Sequence, residues 1–165
     1  DHMGWNITWK NGVPEKTFPN AKYLVSKFDF DYYSENPNDD FNNQILPLKD
    51  LGGLVLIEGR TEVVKDVFSL PTNGHTPGHQ SLFLETHNKE KIILTGDLFH
   101  NEAQINEQFW CPIFDWNTVM STISRVGLLN SAYKNQWIIC TGHLSDDKAI
   151  GRIQKNNNGF YWVPI

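Results

Sequence analysis

Short apolar runs broken by glycine, asparagine and proline recur along this chain, and their lengths predict strands more often than helices. Residues 21–26 (AKYLVS), entered from Phe18-Pro19-Asn20, predict a turn and a short strand, and the aromatic stretch up to Tyr33 suits a helix or an irregular segment. The polar run at 34–43 (SENPNDDFNN) has loop composition and is expected to form a surface excursion or lid. Residues 54–58 and 62–70 predict two strands joined at Gly59-Arg60 as a half-buried hairpin. Residues 80–86 (QSLFLET) and 91–95 (KIILT) are clearer strands on either side of the turn His87-Asn88-Lys89. Over 118–134, Val119, Ile123, Val126, Leu129 and Tyr133 recur at helical spacing behind the cap candidates Asp115 and Asn117, which predicts one amphipathic helix. A buried strand over 136–141 ends at Gly142-His143, and two short strands, 151–154 and 160–163, flank a turn at 156–159. The pattern is α/β and sheet-rich, with no internal repeat.

Composition narrows the classes. A chain of 165 residues with 39% hydrophobic and 13% aromatic content is expected to fold as one globular domain over 1–165. Its formal net charge of -5 comes with no basic stripe, which excludes nucleic acid as a partner. The longest apolar runs, at 54–57 and 92–94, fall far short of the ~20 residues a membrane-spanning helix needs, so no membrane is expected. Cys111 and Cys140 are too few for a disulfide framework. Cys140, inside the apolar run 137–140, is expected to pack in the core, and Cys111 either packs or lines a pocket. No signal peptide is visible, but the abrupt Asp-His start reads as a truncation with any targeting segment upstream, so this is no evidence for the cytoplasm; the compartment is left open, with the cytoplasm favoured.

Candidate chemistry gathers where strands stop. His79 follows the rigid loop Gly74-His75-Thr76-Pro77-Gly78, Asp97 follows the strand ending at Thr95-Gly96, and His143 follows Thr141-Gly142. Taken singly, His79 could sit in a plain turn, Asp97 could be a structural cap and His143 a satisfied core histidine. Together with Asp1 and His2 they supply the imidazole and carboxylate donors of a metal cluster, held at strand ends in fixed geometry. His75 is expected to shape its loop and His87 to be solvated.

These motifs resemble the metallo-β-lactamase superfamily, specifically its lactonase-like metallohydrolases. Asp1-His2, continuing as Met3-Gly4-Trp5-Asn6, is similar to the end of a His-x-His-x-Asp-His motif. The resemblance continues through TFPNAKY at 17–23, HTPGH at 75–79, TGDLFH at 95–100 and TGH at 141–143. It implies a four-layer α/β/β/α sandwich with the metals at one edge, truncated at its N-terminus so that the His-x-His pair precedes residue 1. The implied metal ligands are Asp1, His2, His79, Asp97 and His143. Asp97 would bridge, with Asp1, His2 and His143 completing one site and His79 serving the other.

The resemblance implies two Zn2+ ions, with Mn2+, Co2+ or Fe2+ suiting the same donors, and a metal-bound hydroxide that cleaves a small-molecule lactone or other ester. Asp97, His100 and Asp1 are the implied catalytic residues. His100 falls where related lactonases carry a tyrosine, so a hydrogen bond to the substrate carbonyl or leaving oxygen is expected. Phe99, Phe109 and Trp110 are candidates either for an apolar substrate wall or for core. A homodimer is possible, as among related lactonases. The rival readings are a phosphotriesterase or thioesterase on the same site, and a metal-poor binding module without catalysis. Metal content separates the last from the others.

Overall fold

In the computed structural model the described residues are 2–165, so the roles expected of Asp1 lie outside them. The chain divides into two compact units, residues 1–58 and 59–165, each with its own apolar core.

In the first unit, β1 (Ile7–Lys10) and β2 (Val13–Lys16) form an antiparallel hairpin. Its turn is Asn11-Gly12, both at positive φ (51° and 79°), the conformation for which Asn-Gly is the favoured pair. The strand β3 (Tyr23–Ser26) leads directly into α1 (Lys27–Glu35), where the Ser26 hydroxyl accepts from the Phe28 N–H as the cap. The run 34–43 is exposed apart from Phe41, as expected of a surface excursion, and only the lid alternative is corrected. Residues Phe41–Ile45 form a π-helical turn running into α2 (Leu46–Asp50), and Phe41 is buried against Phe30 and Tyr33. One aromatic anchor within the polar run is enough to tie it to the core formed with Ile7, Ile45 and Leu48. The hairpin expected across Gly59-Arg60 is also corrected, because β4 (Leu54–Ile57) pairs in parallel with β3.

The second unit is built on a sheet of seven strands among the described residues. They are β5 (Thr61–Val64), β6 (Val67–Pro71), β7 (Gln80–Glu85), β8 (Lys91–Leu94), β9 (Ile138–Cys140), β10 (Ile150–Asn156) and β11 (Gly159–Pro164). The stretch 62–70, expected as one strand, is two, because Asp66 at φ 64° turns the chain back on itself between β5 and β6. Between β8 and β9 come α3 (Ala103–Asn106) and the long α4 (Thr118–Asn135), capped by the Asn117 side chain accepting from the Met120 N–H. The helix lies where the sequence predicts it, but its buried face is Ser121, Arg125, Leu128, Leu129 and Ala132, while Val119 and Ile123 are exposed. The core joins Leu128, Leu129 and Ala132 to Ile93, Leu98, Phe99, Ile139 and Ile153.

The pairing pattern places three loops together. β8 and β9 are parallel, with Leu94 beside Cys140, so Asp97 and His143 leave the sheet at the same edge. β7 is antiparallel to β8, with Leu82 beside Leu94, so the loop that precedes β7 reaches that edge as well. A helical crossover is what allows two neighbouring strands to end side by side.

With Leu129 fully buried, Leu129→Ala is expected to lose about 2–5 kcal/mol of stability by opening a cavity. Ile123→Ala on the exposed face should stay within about 0.5 kcal/mol of the wild type. Urea unfolding of the two variants checks this, and equal losses would contradict the assignment.

Candidate metal centre

At the shared edge the Asp97 side chain is almost fully buried and receives imidazoles on both oxygens. His143 Nε2 lies 2.9 Å from Oδ1. On the other oxygen, His75 Nε2 is 3.2 Å and His100 Nε2 3.9 Å from Oδ2. Asp97 follows Gly96, whose φ is +55°; a Cβ there would stand 2.9 Å from His79 Nε2, so close passage of the chain requires glycine.

A second tier of contacts orients these donors. His75 Nδ1–H donates to Asp115 Oδ1 at 3.0 Å, leaving Nε2 turned toward Asp97. The 116–117 backbone holds that geometry, with the Trp116 and Asn117 N–H groups donating to the carbonyls of His75 and Gly74, each at 2.9 Å. Gly74 has φ 141° and an added Cβ would fall 2.1 Å from the Ser121 backbone nitrogen, so the loop lies directly on the start of α4. Arg125 is wholly buried beneath. It donates through Nε to the Leu98 carbonyl (3.1 Å), through Nη1 to those of Gln108 (2.8 Å) and Trp110 (2.9 Å), and through Nη2 to the Ser121 hydroxyl (3.1 Å). Its Nη2 stands 3.9 Å from Asp115 Oδ2.

His79 is engaged differently. Its Nε2 accepts from the Asp97 N–H at 3.0 Å, while its Nδ1 faces the Thr72 carbonyl at 3.0 Å and hydroxyl at 2.9 Å. The Thr72 hydroxyl reaches Ser81 Oγ, which donates to the Thr95 carbonyl. Both ring nitrogens of His79 therefore serve the protein, and in this arrangement neither lone pair faces a metal.

Of the residues expected in the site, Asp97, His100 and His143 come together, joined by His75. His2 is an exposed residue of the first unit. Phe99, a candidate substrate wall, is corrected to core: it is 1% exposed and packs with Leu98 and Leu129 beneath the sheet edge. Phe109 and Trp110 are 81% and 62% exposed. Instead Phe114, itself 60% exposed, lies edge-on against His75 and His100 with ring centroids 5.7 and 5.0 Å apart. Asp115 and Arg125 had no signature in the sequence as site residues. Asp115 read as a helix-cap candidate, and nothing in the local pattern distinguishes Arg125.

The charges suit a cation. With Nδ1–H committed to Asp115, the His75 Nε2 lone pair faces a carboxylate oxygen at 3.2 Å, an arrangement that needs a proton or a metal ion between them. In the metal-free protein the Asp97 carboxylate accordingly holds the His75 pKa above its ordinary 6.5, with burial opposing and Asp115 assisting. His100 moves the other way, lowered to about 4 by burial and by the neighbouring His75 and His143. Its Nδ1 is buried without a hydrogen-bond partner among the described residues. Nitrogen and oxygen donors crowded on one buried carboxylate fit a divalent metal.

The sequence pattern of the metallo-beta-lactamase superfamily matches residues 1–143, and the chain belongs to that superfamily. An N-acyl homoserine lactonase of a Bacillus species is 38% identical over 142 residues, 86% of this chain and 53% of its own length. One from Bacillus thuringiensis is 39% identical over 88 residues, 53% of this chain and 34% of its own length. Among solved structures, an N-acyl homoserine lactone hydrolase with the product N-hexanoyl-L-homoserine at its catalytic metal center superposes with a TM-score of 0.64 at 29% identity, covering 77% of this chain and 48% of that one. The fold is the α/β sandwich of the superfamily, and this chain spans 34% to 53% of the length of these curated relatives. The match corrects the expected loss of the N-terminal part: it takes in the chain from residue 1, and His2 of the histidine motif is present. No helix of the described residues is long and apolar enough to cross a membrane.

Because Asp115 fixes the His75 ring, Asp115→Ala is expected to weaken Zn2+ binding about 10–100-fold, the range for an outer-shell partner. Asp115→Asn should be milder, since an amide oxygen accepts the same N–H. Chelator competition measures both, and unchanged affinity in Asp115→Ala would contradict the orienting role.

Proposed function

We propose that the protein is a metal-dependent hydrolase that opens a lactone ring, with N-acyl homoserine lactones, the substrates named for its relatives, as the substrate class. The observation that carries this is the buried Asp97 carboxylate with imidazole nitrogens disposed on both of its oxygens. Two metal ions are proposed, one on each side of Asp97, with Zn2+ preferred for its affinity for imidazole and carboxylate, and Mn2+, Co2+ or Fe2+ suited to the same donors. His143 is proposed as a ligand on the Oδ1 side and His75 on the Oδ2 side. His79 then serves as a support that pins the Asp97 backbone. Ligand roles for Asp1 and His2 rest on the sequence motif alone.

When bound, such ions acidify water toward a pKa of about 7 and polarise the carbonyl under attack. The chain's own groups do the rest. Asp115 holds His75 in one tautomer, and His79 fixes the turn that carries Asp97. Phe114 offers an apolar face beside the imidazoles, suited to the hydrocarbon part of an acyl chain and able to exclude water from that side. Hydrolysis adds water across the ring ester, breaks its acyl C–O bond and releases a hydroxy acid that ionises, so turnover yields a proton.

The test is elemental analysis of the purified protein together with pH-indicator assays on N-acyl homoserine lactones. Bound divalent metal and lactone-dependent acid release are expected, both lost in Asp97→Ala. Metal-loaded protein that releases no acid from any of a panel of lactones would overturn the proposal. Retention of one full equivalent of metal in Asp97→Ala would contradict the bridging role.

A further inference from the structure

We propose that His100 is itself a metal ligand, so that His75, Asp97 and His100 hold one ion on the Oδ2 side of Asp97. This rests on the metal-site reading of Asp97 and deepens it. One ligand atom from each of the three lies within 4.8 Å of the others. Donors on a tetrahedral ion at ~2.0–2.1 Å stand about 3.3 Å apart. His75 Nε2 at 3.2 Å from Oδ2 already meets that spacing, and His100 Nε2 at 3.9 Å meets it after a shift of well under an ångström.

The state of the His100 ring points the same way. Its side chain is mostly buried, Nδ1 has no hydrogen-bond partner among the described residues, and Nε2 is too far from Asp97 for a hydrogen bond. A buried imidazole without hydrogen bonds is costly unless something else satisfies a nitrogen. The ring is nevertheless fixed in direction. It stacks on His143 at 4.7 Å and 26°, meets His75 at 4.9 Å, and is closed off by Phe114. The His100 backbone N–H is tied to Gln104 Oε1 at 2.7 Å, so the loop behind the ring is anchored as well. An Nε2 aimed at the Asp97 carboxylate from a fixed ring, 3.9 Å away and not hydrogen-bonded to it, is suited to a metal. The substrate contact expected of this position from the sequence is thereby replaced by a metal-holding role.

His100→Phe tests this, because the phenyl ring can keep the stacking while removing both nitrogens. In the metal-free state its melting temperature should stay near that of the wild type. Its Zn2+ affinity, measured by chelator competition, should fall by clearly more than about 10²-fold, beyond the effect of an outer-shell contact. In the Co2+-loaded protein, the solvent-exchangeable, hyperfine-shifted imidazole N–H resonance of His100 should disappear from the proton NMR spectrum. Wild-type Zn2+ affinity with every such resonance retained, and only lactone turnover reduced, would overturn the inference in favour of a substrate contact. If His100→Phe does not fold, His100→Gln is read in the same way. Asp97→Ala separates the two levels: metal loss there without loss in the His100 variants sinks this inference alone, whereas metal retained in Asp97→Ala sinks the underlying site.

Discussion

An ionised carboxylate removed from water costs several kcal/mol unless donors or cations surround it. Asp97 is such a carboxylate, and the second unit is arranged around meeting its needs. Its backbone N–H is taken by His79, one oxygen faces His143, and the other faces His75 with His100 behind. None of these partners is near it in sequence except His100. They arrive because β8 and β9 run parallel and β7 runs against them, so the end of two strands and the start of a third share one sheet edge. The register of the sheet is therefore also the register of the site, and a slip in the pairing would separate the donors.

Arg125 carries this coupling into the core. A guanidinium with no exposure is tolerable only if its N–H groups are used, and four contacts to three carbonyls and a hydroxyl account for most of its five donors. Those carbonyls belong to Leu98, beside Asp97, and to Gln108 and Trp110 in the segment leading to Phe114. The same helix meets the His75 loop through its first two turns, where Ser124 donates to the Asn73 carbonyl at 2.7 Å. One face of α4 thus packs Leu128, Leu129 and Ala132 into the core and steadies the loops on either side of the imidazoles.

Much of this was legible in the sequence, for a physical reason. Strands that end in glycine followed by Asp or His declare both a buried run and a polar station at its end, as at Thr95-Gly96-Asp97 and Thr141-Gly142-His143. The choice between His75 and His79 was not legible. Both lie in one turn four residues apart, and the decision depends on hydrogen bonds to Thr72 and Asp115, which no local pattern displays. Nor did spacing reveal the buried face of α4, because an arginine lies fully buried in it while the apolar Val119 and Ile123 are exposed. The Asn11-Gly12 turn shows the opposite case. A strong hairpin signal was present, but the flanking residues alternate too weakly to mark strands.

The division between what could and could not be read follows the division of labour in the site. The donor atoms stand at strand ends, where backbone pairing fixes them to within the tolerance that ligand geometry demands. The surface beside them belongs to the connection between α3 and α4, where Phe109, Trp110 and Phe114 stand exposed. Metal chemistry is set by residue types at fixed stations and leaves motifs in a sequence. Substrate choice is set by the shape of an apolar surface, and a methylene more or less there changes selectivity by only about 1–3 kcal/mol. Many sequences can provide such a surface, so a segment that selects a substrate need carry no motif, whereas donors placed to suit a metal do.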